Sequence, residues 1–408
     1  MGILLNDQQN EALSLLVDWW KSSRQLFQLD GLAGTGKSTI IKFLIDKLKL
    51  NNDEVIFSCF TGKATQVLTR KGNFAKTIHA LFYELVEVPQ LDENGSPIMI
   101  KGRHKMKRVF QKRDFISPKI KLVVIDEGGM VGKRMALDIL SFGIKTIVLG
   151  DLHQLPPVKD EVYFLKEPDY SLTQIMRQAE NNPIIWASQE IIKGNDLDFG
   201  SYGNVFVISP EELKDSWLTK SDIILTGTNK TRDFINNYVR SNILNIHDDC
   251  PVIGDKLICR QNNWQEYVDD IYLINGLIGY VEFIDRDLSN HIALNIRFRP
   301  DFVEKTDRLK WFNEISLDLN YFKLPFEEKR KAPRSFYNKF ELGHAITTHL
   351  SQGSEYDNVI YFKEQIGGKH FTQQIDYTAI TRAKKMIIIV KPRHKKFYFN
   401  TNFGEVEE

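Results

Sequence analysis

Four short, almost wholly apolar runs mark the first part of the chain: Leu26–Leu29, Val55–Phe60, Leu122–Ile125 and Thr146–Leu149. Small or acidic residues follow most of them. Runs of this length and composition suit strands buried on both faces of a parallel sheet. Between the first two, Ser38–Leu50 carries the apolar spacing of a helix. The same grammar returns at Val205–Ser209, Ile223–Thr226, Val359–Phe362 and Met386–Val390. The pattern predicts an α/β protein with two parallel sheets, the second interrupted.

The interruptions have a different texture. In residues 84–118, Leu85–Val88 and Ile98–Ile100 flank the turn cluster Asp92–Pro97, which predicts a β-hairpin. Around residues 250–300 the chain alternates, with Ile292, Leu294, Ile296 and Phe298 on one face and Ala293, Asn295 and Arg297 on the other. A half-buried antiparallel strand, and hence a small β-barrel insert over 243–337, is expected there. Residues 301–335 are charged and carry no clear periodicity.

Composition narrows the class. A chain of 408 residues with 42% hydrophobic residues can bury the cores of roughly two to four domains. A formal net charge of +1 argues against a blanket DNA-coating protein but leaves a local basic groove open. Cys59, Cys250 and Cys259 suit neither a disulfide framework nor a zinc site, so reduced thiols in a cytoplasmic setting are expected. No apolar run approaches the ~20 residues of a membrane span.

Candidate chemistry begins at Gly31-Leu32-Ala33-Gly34-Thr35-Gly36-Lys37-Ser38, which matches the phosphate-loop pattern between a predicted strand and a predicted helix. Glycines let backbone N–H groups close around phosphates, Lys37 can reach the β- and γ-phosphates, and the Ser38 hydroxyl can ligate Mg²⁺. Val123-Val124-Ile125-Asp126-Glu127 supplies the matching half, with Asp126 for the metal and Glu127 to orient or deprotonate the attacking water. After the next strand, Gln154 in the segment 150–158 is placed to sense the γ-phosphate, or the segment is a plain turn stopped by Pro156 and Pro157.

These motifs, with THLSQGSEYDNVI at 348–360 and YTAITRAKK at 377–385, occur in the order and spacing of superfamily-one helicases. The resemblance is to the RecD/Dda branch and extends from Asn6-Asp7-Gln8-Gln9 to the last strand. It implies two RecA-like domains, at 1–83 with 119–172 and at 173–242 with 338–408. The 84–118 hairpin would be a strand-separating pin and the 243–337 insert an SH3-like β-barrel. It implies ATP and Mg²⁺ as cofactors, and Gln9 (or Gln8) reading the adenine edge. Gly34, Thr35, Gly36, Lys37, Ser38 and Thr39 would hold nucleotide, and Glu355 would touch the ribose. Arg177 and Arg382 would reach the γ-phosphate from the second domain, where a guanidinium neutralises developing charge when the two domains close on ATP.

DNA contacts implied by the resemblance are Thr61, Lys63, Thr77 and His79 in the first domain and Thr348, His349, Ser351 and Gln352 in the second. The expected activity is ATP-driven 5′→3′ translocation on single-stranded DNA with separation of duplex at a fork, by a monomer that works beside single-strand-binding or replication proteins. Two alternatives stay open: a motor subunit of a nuclease–helicase complex, and a translocase that displaces bound proteins with little unwinding. The sequence departs from the family at Gly128-Gly129, where Ala-Ser or Cys-Ser is common, and at Leu350, where lysine is usual. The basic run Lys101–Arg108, continued by Lys112 and Arg113, is either a solvated face or a backbone contact beside the pin. Thr228-Asn229-Lys230-Thr231 hints at guanine recognition, but Arg232 stands where that motif needs an acid.

Overall fold

The computed structural model describes residues 4–70, 72–92, 95–100, 102–157, 161–176, 181–269, 271–285, 292–329, 331–332 and 335–393. The chain forms two compact units. The first comprises residues 1–152 and 156–176; the second comprises 153–155 and 177–408. The division falls at 176: Tyr170–Leu172 is a strand of the first sheet, and the Met176 N–H donates to the Gly34 carbonyl.

The strands of the first unit are β1 (Leu26–Gly31), β2 (Val55–Cys59), β3 (Ala75–Thr77), β4 (Tyr83–Pro89), β5 (Met99–Ile100), β6 (Arg103–His104), β7 (Met106–Lys112), β8 (Leu122–Ile125), β9 (Lys145–Gly150) and β10 (Tyr170–Leu172). Six of them make a parallel sheet in the order β10-β1-β9-β8-β2-β3. Alternate side chains feed its two faces, as the period-two geometry of a strand requires. Leu122 and Val124 join Phe27, Leu29 and Leu149 beneath the helices Asp7–Lys21 and Lys37–Leu48. Val123 and Ile125 join Val148 and Ile139 on the other face. With both faces covered, the strands carry no polar alternation, which is why they read as continuous apolar runs.

The hairpin differs from the expected one in its partners. β4 pairs antiparallel with β7, Leu85 opposite Phe110 and Val88 opposite Lys107. Ile100 instead pairs with Arg103 in the small β5–β6 ribbon beyond it. The part of the basic run within Met106–Lys112 is therefore the returning strand of the hairpin, while Arg103 and His104 belong to the small ribbon. Glu93 and Asn94 of the predicted turn, and Lys101 of the run, lie outside the described residues.

The second unit holds β11 (Gly200–Tyr202), β12 (Val205–Ile208), β13 (Ile223–Thr226), β14 (Lys256–Cys259), β15 (Asn263–Val268), β16 (Ile271–Leu273), β17 (Ile278–Asp285), β18 (Ala293–Pro300), β19 (Phe312–Asp318), β20 (Phe340–Leu342), β21 (Ala345–Thr347), β22 (Tyr356–Phe362) and β23 (Ala383–Val390). Its main sheet runs β11-β12-β23-β22-β13-β21, parallel except for the edge strand β11. The insert is a five-stranded antiparallel sheet, β19-β18-β17-β14-β20, with the β15–β16 ribbon beside it. Bulges interrupt β17 and β18, and Asn338 exchanges backbone hydrogen bonds with Ser316 and Asp318, so the chain entering β20 returns to β19 at the far edge. The insert thus extends through Leu342, beyond the expected limit of 337. Within β18, Leu294, Ile296 and Phe298 are buried as the alternation predicts, whereas Ile292 is exposed and Ala293 buried.

Arg232, which breaks the guanine motif, has a structural task. Its side chain is fully buried and pairs with Glu341 of β20 at 2.9 Å, where Arg260 and the Tyr321 hydroxyl also meet the carboxylate. This buried cluster fastens the helix Asn229–Tyr238 to the insert.

Candidate nucleotide site and coupling segment

Because β1, β9 and β8 are parallel neighbours, the residues that follow each of them emerge at one edge of the sheet. The carboxyl edge of such a sheet is where ligands bind in open α/β folds. After β1, Gly34 and Gly36 both adopt φ of +82°, a conformation that favours glycine, and the helix Lys37–Leu48 starts at once. No side chain caps its first turn, which leaves the positive end of the helix to an anion. Lys37 Nζ donates to the carbonyls of Gly31 and Leu32, folding back over the loop. Ser38 is exposed at the second helical position and Thr39 half-buried.

The loop is held from behind. Gln9 is buried; its Nε2 donates to the Thr35 carbonyl at 2.8 Å and its Oε1 accepts from the Asn6 N–H. A Cβ at Gly36 would lie 2.5 Å from Gln9 Nε2 and 2.7 Å from Met176 Sδ, so this loop position also needs the smallest residue. Gln8, the alternative adenine reader, accepts from the N–H groups of Thr173 and Gln174 instead. Both glutamines are anchors in this structure, one of the loop and the other of the segment that leads to residue 176.

Beyond β8, Asp126 accepts from the Glu127 N–H, and Glu127 sits at φ +54°, left-handed although it is not glycine. Left-handed backbone at a bulky residue costs roughly 1–3 kcal/mol and concentrates at functional sites. A Cβ at Gly128 would lie 2.1 Å from Val148 Cγ1, whereas Gly129 faces open space. The departure from Ala at 128 is thus dictated by valine on β9. Cys59, at the end of β2, is buried; burial first, then the charges of Asp126 and Glu127, push its thiol up and keep it protonated. Asp30 on β1 accepts from the Leu152 N–H, tying the ends of β1 and β9 together.

Ser38 and Asp126 therefore lie at the same sheet edge as the uncapped helix start, and this donor set fits a nucleotide triphosphate with Mg²⁺. Among the described residues no group of three or more His, Cys, Asp or Glu side chains forms a self-sufficient metal site.

The DNA contacts expected in the first unit, Thr61, Lys63, Thr77 and His79, lie at or just after the ends of β2 and β3. Thr61 and Thr77 use their hydroxyls to accept from the N–H groups of Ala64 and Ala80, starting short helices. His79 lies among Phe60, Tyr83 and Phe110, and burial holds its imidazole below the usual histidine range, so it is neutral near pH 7. Only the backbone of Lys63 is described.

In the second unit Thr348 and Ser351 are buried, donating to the carbonyls of Thr226 and Thr348. Gln352 is buried too, and its Nε2 donates to the Leu155 carbonyl at 2.7 Å. These three side chains shape the segment and do not face solvent. His349 is half-buried against Phe371, with burial lowering its pKa, and Glu355 is exposed.

Residues His153–Leu155 follow β9 in the chain yet pack in the second unit. There Arg382 NH2 donates to Gln154 Oε1 at 3.2 Å, while its Nε and NH1 donate to the carbonyls of Thr378 and Ser354. The structure therefore brings together two residues that the sequence assigned separately to the γ-phosphate. Arg177 lies outside the described residues. Thr378, inside the YTAITRAKK segment, and Gln374, just before it, also touch this segment; the sequence assigns neither a role.

Comparison with known proteins finds similarity over most of the chain. Residues 4–204 match an AAA domain family and residues 342–390 a UvrD-like helicase C-terminal domain. The ATP-dependent RecD2 DNA helicase of Deinococcus radiodurans is 25% identical over 93% of this chain and 48% of its own length. The ATP-dependent DNA helicase Dda of Enterobacteria phage T4 is 22% identical over 95% of this chain and 99% of its own. The crystal structure of Bacteroides Pif1 bound to single-stranded DNA aligns at a TM-score of 0.50 with 18% identity, over 100% of this chain and 95% of that one. The chain spans 39% and 48% of two of the curated proteins it matches, an uncharacterised Methanocaldococcus jannaschii protein and RecD2. Among the described residues, no helix is long and apolar enough to cross a membrane.

Proposed function

The chain belongs to the RecD/Pif1 branch of superfamily-one helicases, and from that premise we propose that it is an ATP-dependent DNA helicase moving 5′→3′ on single-stranded DNA. The observation that carries the reading is the meeting of the phosphate loop, the uncapped helix start and the Asp126-Glu127 turn at one sheet edge. The helicase relatives named above, and the single-stranded DNA in the Pif1 structure, support DNA as the track. The β4–β7 hairpin is then the strand-separating pin, the insert an SH3-like barrel, and the working form a monomer.

In this reading Lys37 leaves the carbonyls of Gly31 and Leu32 for the β- and γ-phosphates. Ser38 and Asp126 would hold Mg²⁺, which supplies charge neutralisation on the phosphates when bound. Glu127 accepts the proton of the attacking water. Arg382 stabilises charge that develops on the transferred phosphoryl group, with Gln154 beside it, and Arg177 acts as a second arginine. Thr39 and the loop backbone grip phosphate, Gln9 reads adenine after release from Thr35, and Glu355 contacts ribose.

The experiment is ATP hydrolysis by the purified protein with and without single-stranded DNA, followed by strand displacement on duplexes with 5′ or 3′ tails. DNA-stimulated hydrolysis and displacement of the 5′-tailed substrate alone are expected. Hydrolysis without displacement of either duplex would leave a translocase that does not unwind.

A further inference from the structure

The helix Lys369–Ile380 offers a row of three residues spaced by four: Gln374, Thr378 and, just past its end, Arg382. Residues four apart lie on one helical face. All three bond to the segment 153–155. Gln374 Nε2 donates to the Gln154 carbonyl at 3.3 Å. The Leu155 N–H donates to Thr378 Oγ1 at 3.1 Å. Arg382 donates to Gln154 Oε1. Thr378 acts twice, since its carbonyl accepts from Arg382 Nε at 3.1 Å.

Leu155 is consequently held at both backbone groups, its N–H by Thr378 and its carbonyl by Gln352. His153 adds a ring contact with Tyr377, 6.0 Å between centroids. Thr378 is completely buried and Leu155 nearly so. A buried N–H that finds a side-chain hydroxyl across more than two hundred residues is a deliberate placement, because orphaned donors are rare. Its effect is to fix Gln154, the neighbour of Leu155, against the guanidinium of Arg382.

We propose that Thr378 and Gln374 are positioning residues for ATP hydrolysis, which clamp the 153–155 segment so that Gln154 and Arg382 act as one unit. The proposal rests on the reading of the chain as an ATPase and deepens it. Both act through the 153–155 segment, Gln374 on Gln154 itself and Thr378 by way of Leu155. Small misplacements of a catalytic group cost up to ~100-fold in rate, so a clamp at this point is felt in turnover more than in binding.

The test is steady-state ATP hydrolysis with saturating single-stranded DNA, beside fluorescent-nucleotide binding, for wild type, Thr378→Val, Thr378→Ser, Gln374→Leu and Gln154→Ala. Valine keeps the volume and branching of threonine but cannot accept the Leu155 proton. Thr378→Val is expected to lower kcat ~10-fold with nucleotide Kd within about twofold, and Thr378→Ser to restore most of the loss. The double variant Gln154→Ala/Thr378→Val should lose no more than Gln154→Ala alone, because the two act in series. Wild-type turnover in a folded Thr378→Val protein, or losses that multiply in the double variant, would overturn the clamp. If Thr378→Val does not fold, the half-exposed Gln374→Leu decides by the same criteria. Absence of hydrolysis in the wild type would overturn the ATPase reading itself, with Lys37→Ala as the background control.

Discussion

At Gly128 a single methyl group is the difference between fit and collision. Its Cβ would lie 2.1 Å from Val148 Cγ1, inside a sheet edge that also carries the acidic pair. Gly128→Ala should destabilise the fold by about 1–3 kcal/mol, as overpacking does, and adding Val148→Ala should recover most of it. Thermal unfolding of the single and double variants checks this; an unchanged midpoint for Gly128→Ala would show that the valine simply turns away. One residue earlier, Glu127→Gln keeps size and backbone but removes the proton acceptor, so nucleotide affinity should persist while hydrolysis stalls. Single-turnover ATP hydrolysis beside nucleotide binding separates the two, and normal turnover would place the base elsewhere. The residues of the phosphate loop and the acidic pair were legible in the sequence because each needs a particular side chain at a particular strand end. The roles of Gln9, Thr348, Ser351 and Gln352 were less so: a motif marks a position, but only the fold reveals that their polar atoms face inward.

Among the elements, the hairpin is the clearest case of a correct region with an incorrect partner. Asp92–Pro97 carries strong turn chemistry, and Leu91 does bridge to Pro97 across it. That turn closes only the tip, however, while β4 continues to its true partner β7 through the basic run. Positive charge hid β7, because Lys107, Arg108 and Lys112 outweigh Val109 and Phe110 in any apolar pattern. Arg113 and Glu84 then pair at 3.6 Å at the hairpin base, and Lys112 donates to Ser141. The short edge strands β3, β10 and β21 escaped notice for a simpler reason: three residues cannot establish a period. Pairing dictates the useful deletion. Replacing residues 90–105 with Asn-Gly joins Pro89 to Met106, which already face each other, through a two-residue hairpin turn. With the hairpin as the pin proposed above, such a variant should keep DNA-stimulated ATP hydrolysis within about twofold and lose most strand displacement. Equal retention of both activities would put the separating element elsewhere. In the second unit, Glu341→Ala should cost ~3–5 kcal/mol by stranding the buried Arg232. Urea denaturation measures it, and a small loss would mean that water reaches the cluster.

For the molecule as a whole, 54 basic and 53 acidic residues nearly cancel, so its long-range field gives little general attraction to nucleic acid. Many of the charges are also occupied at home. Lys363 and Lys391 both pair with Asp196, Lys384 and Lys385 with Asp357, and Lys133 and Lys166 with Glu161. The pairs at Asp357 and Glu161 are exposed and contribute little to stability, but each carboxylate offsets one positive charge that could otherwise meet a phosphate backbone. DNA binding must therefore come from local contacts, in which every phosphate neutralised releases condensed counterions. For a single strand the slope of log affinity against log salt is about −0.7 per phosphate. A few such contacts predict a slope of roughly −2 to −4, shallow beside a basic coating protein yet distinctly negative. Fluorescence anisotropy with a labelled oligonucleotide, titrated from about 50 to 200 mM salt, reads the slope directly. A flat line would exclude an electrostatic groove, and the track would then have to be gripped by stacking and hydrogen bonds alone. The slope should persist in Lys37→Ala, because that lysine folds back over the phosphate loop onto the carbonyls of Gly31 and Leu32. Loss of salt dependence in this variant would mean that the phosphate loop itself had been binding the oligonucleotide.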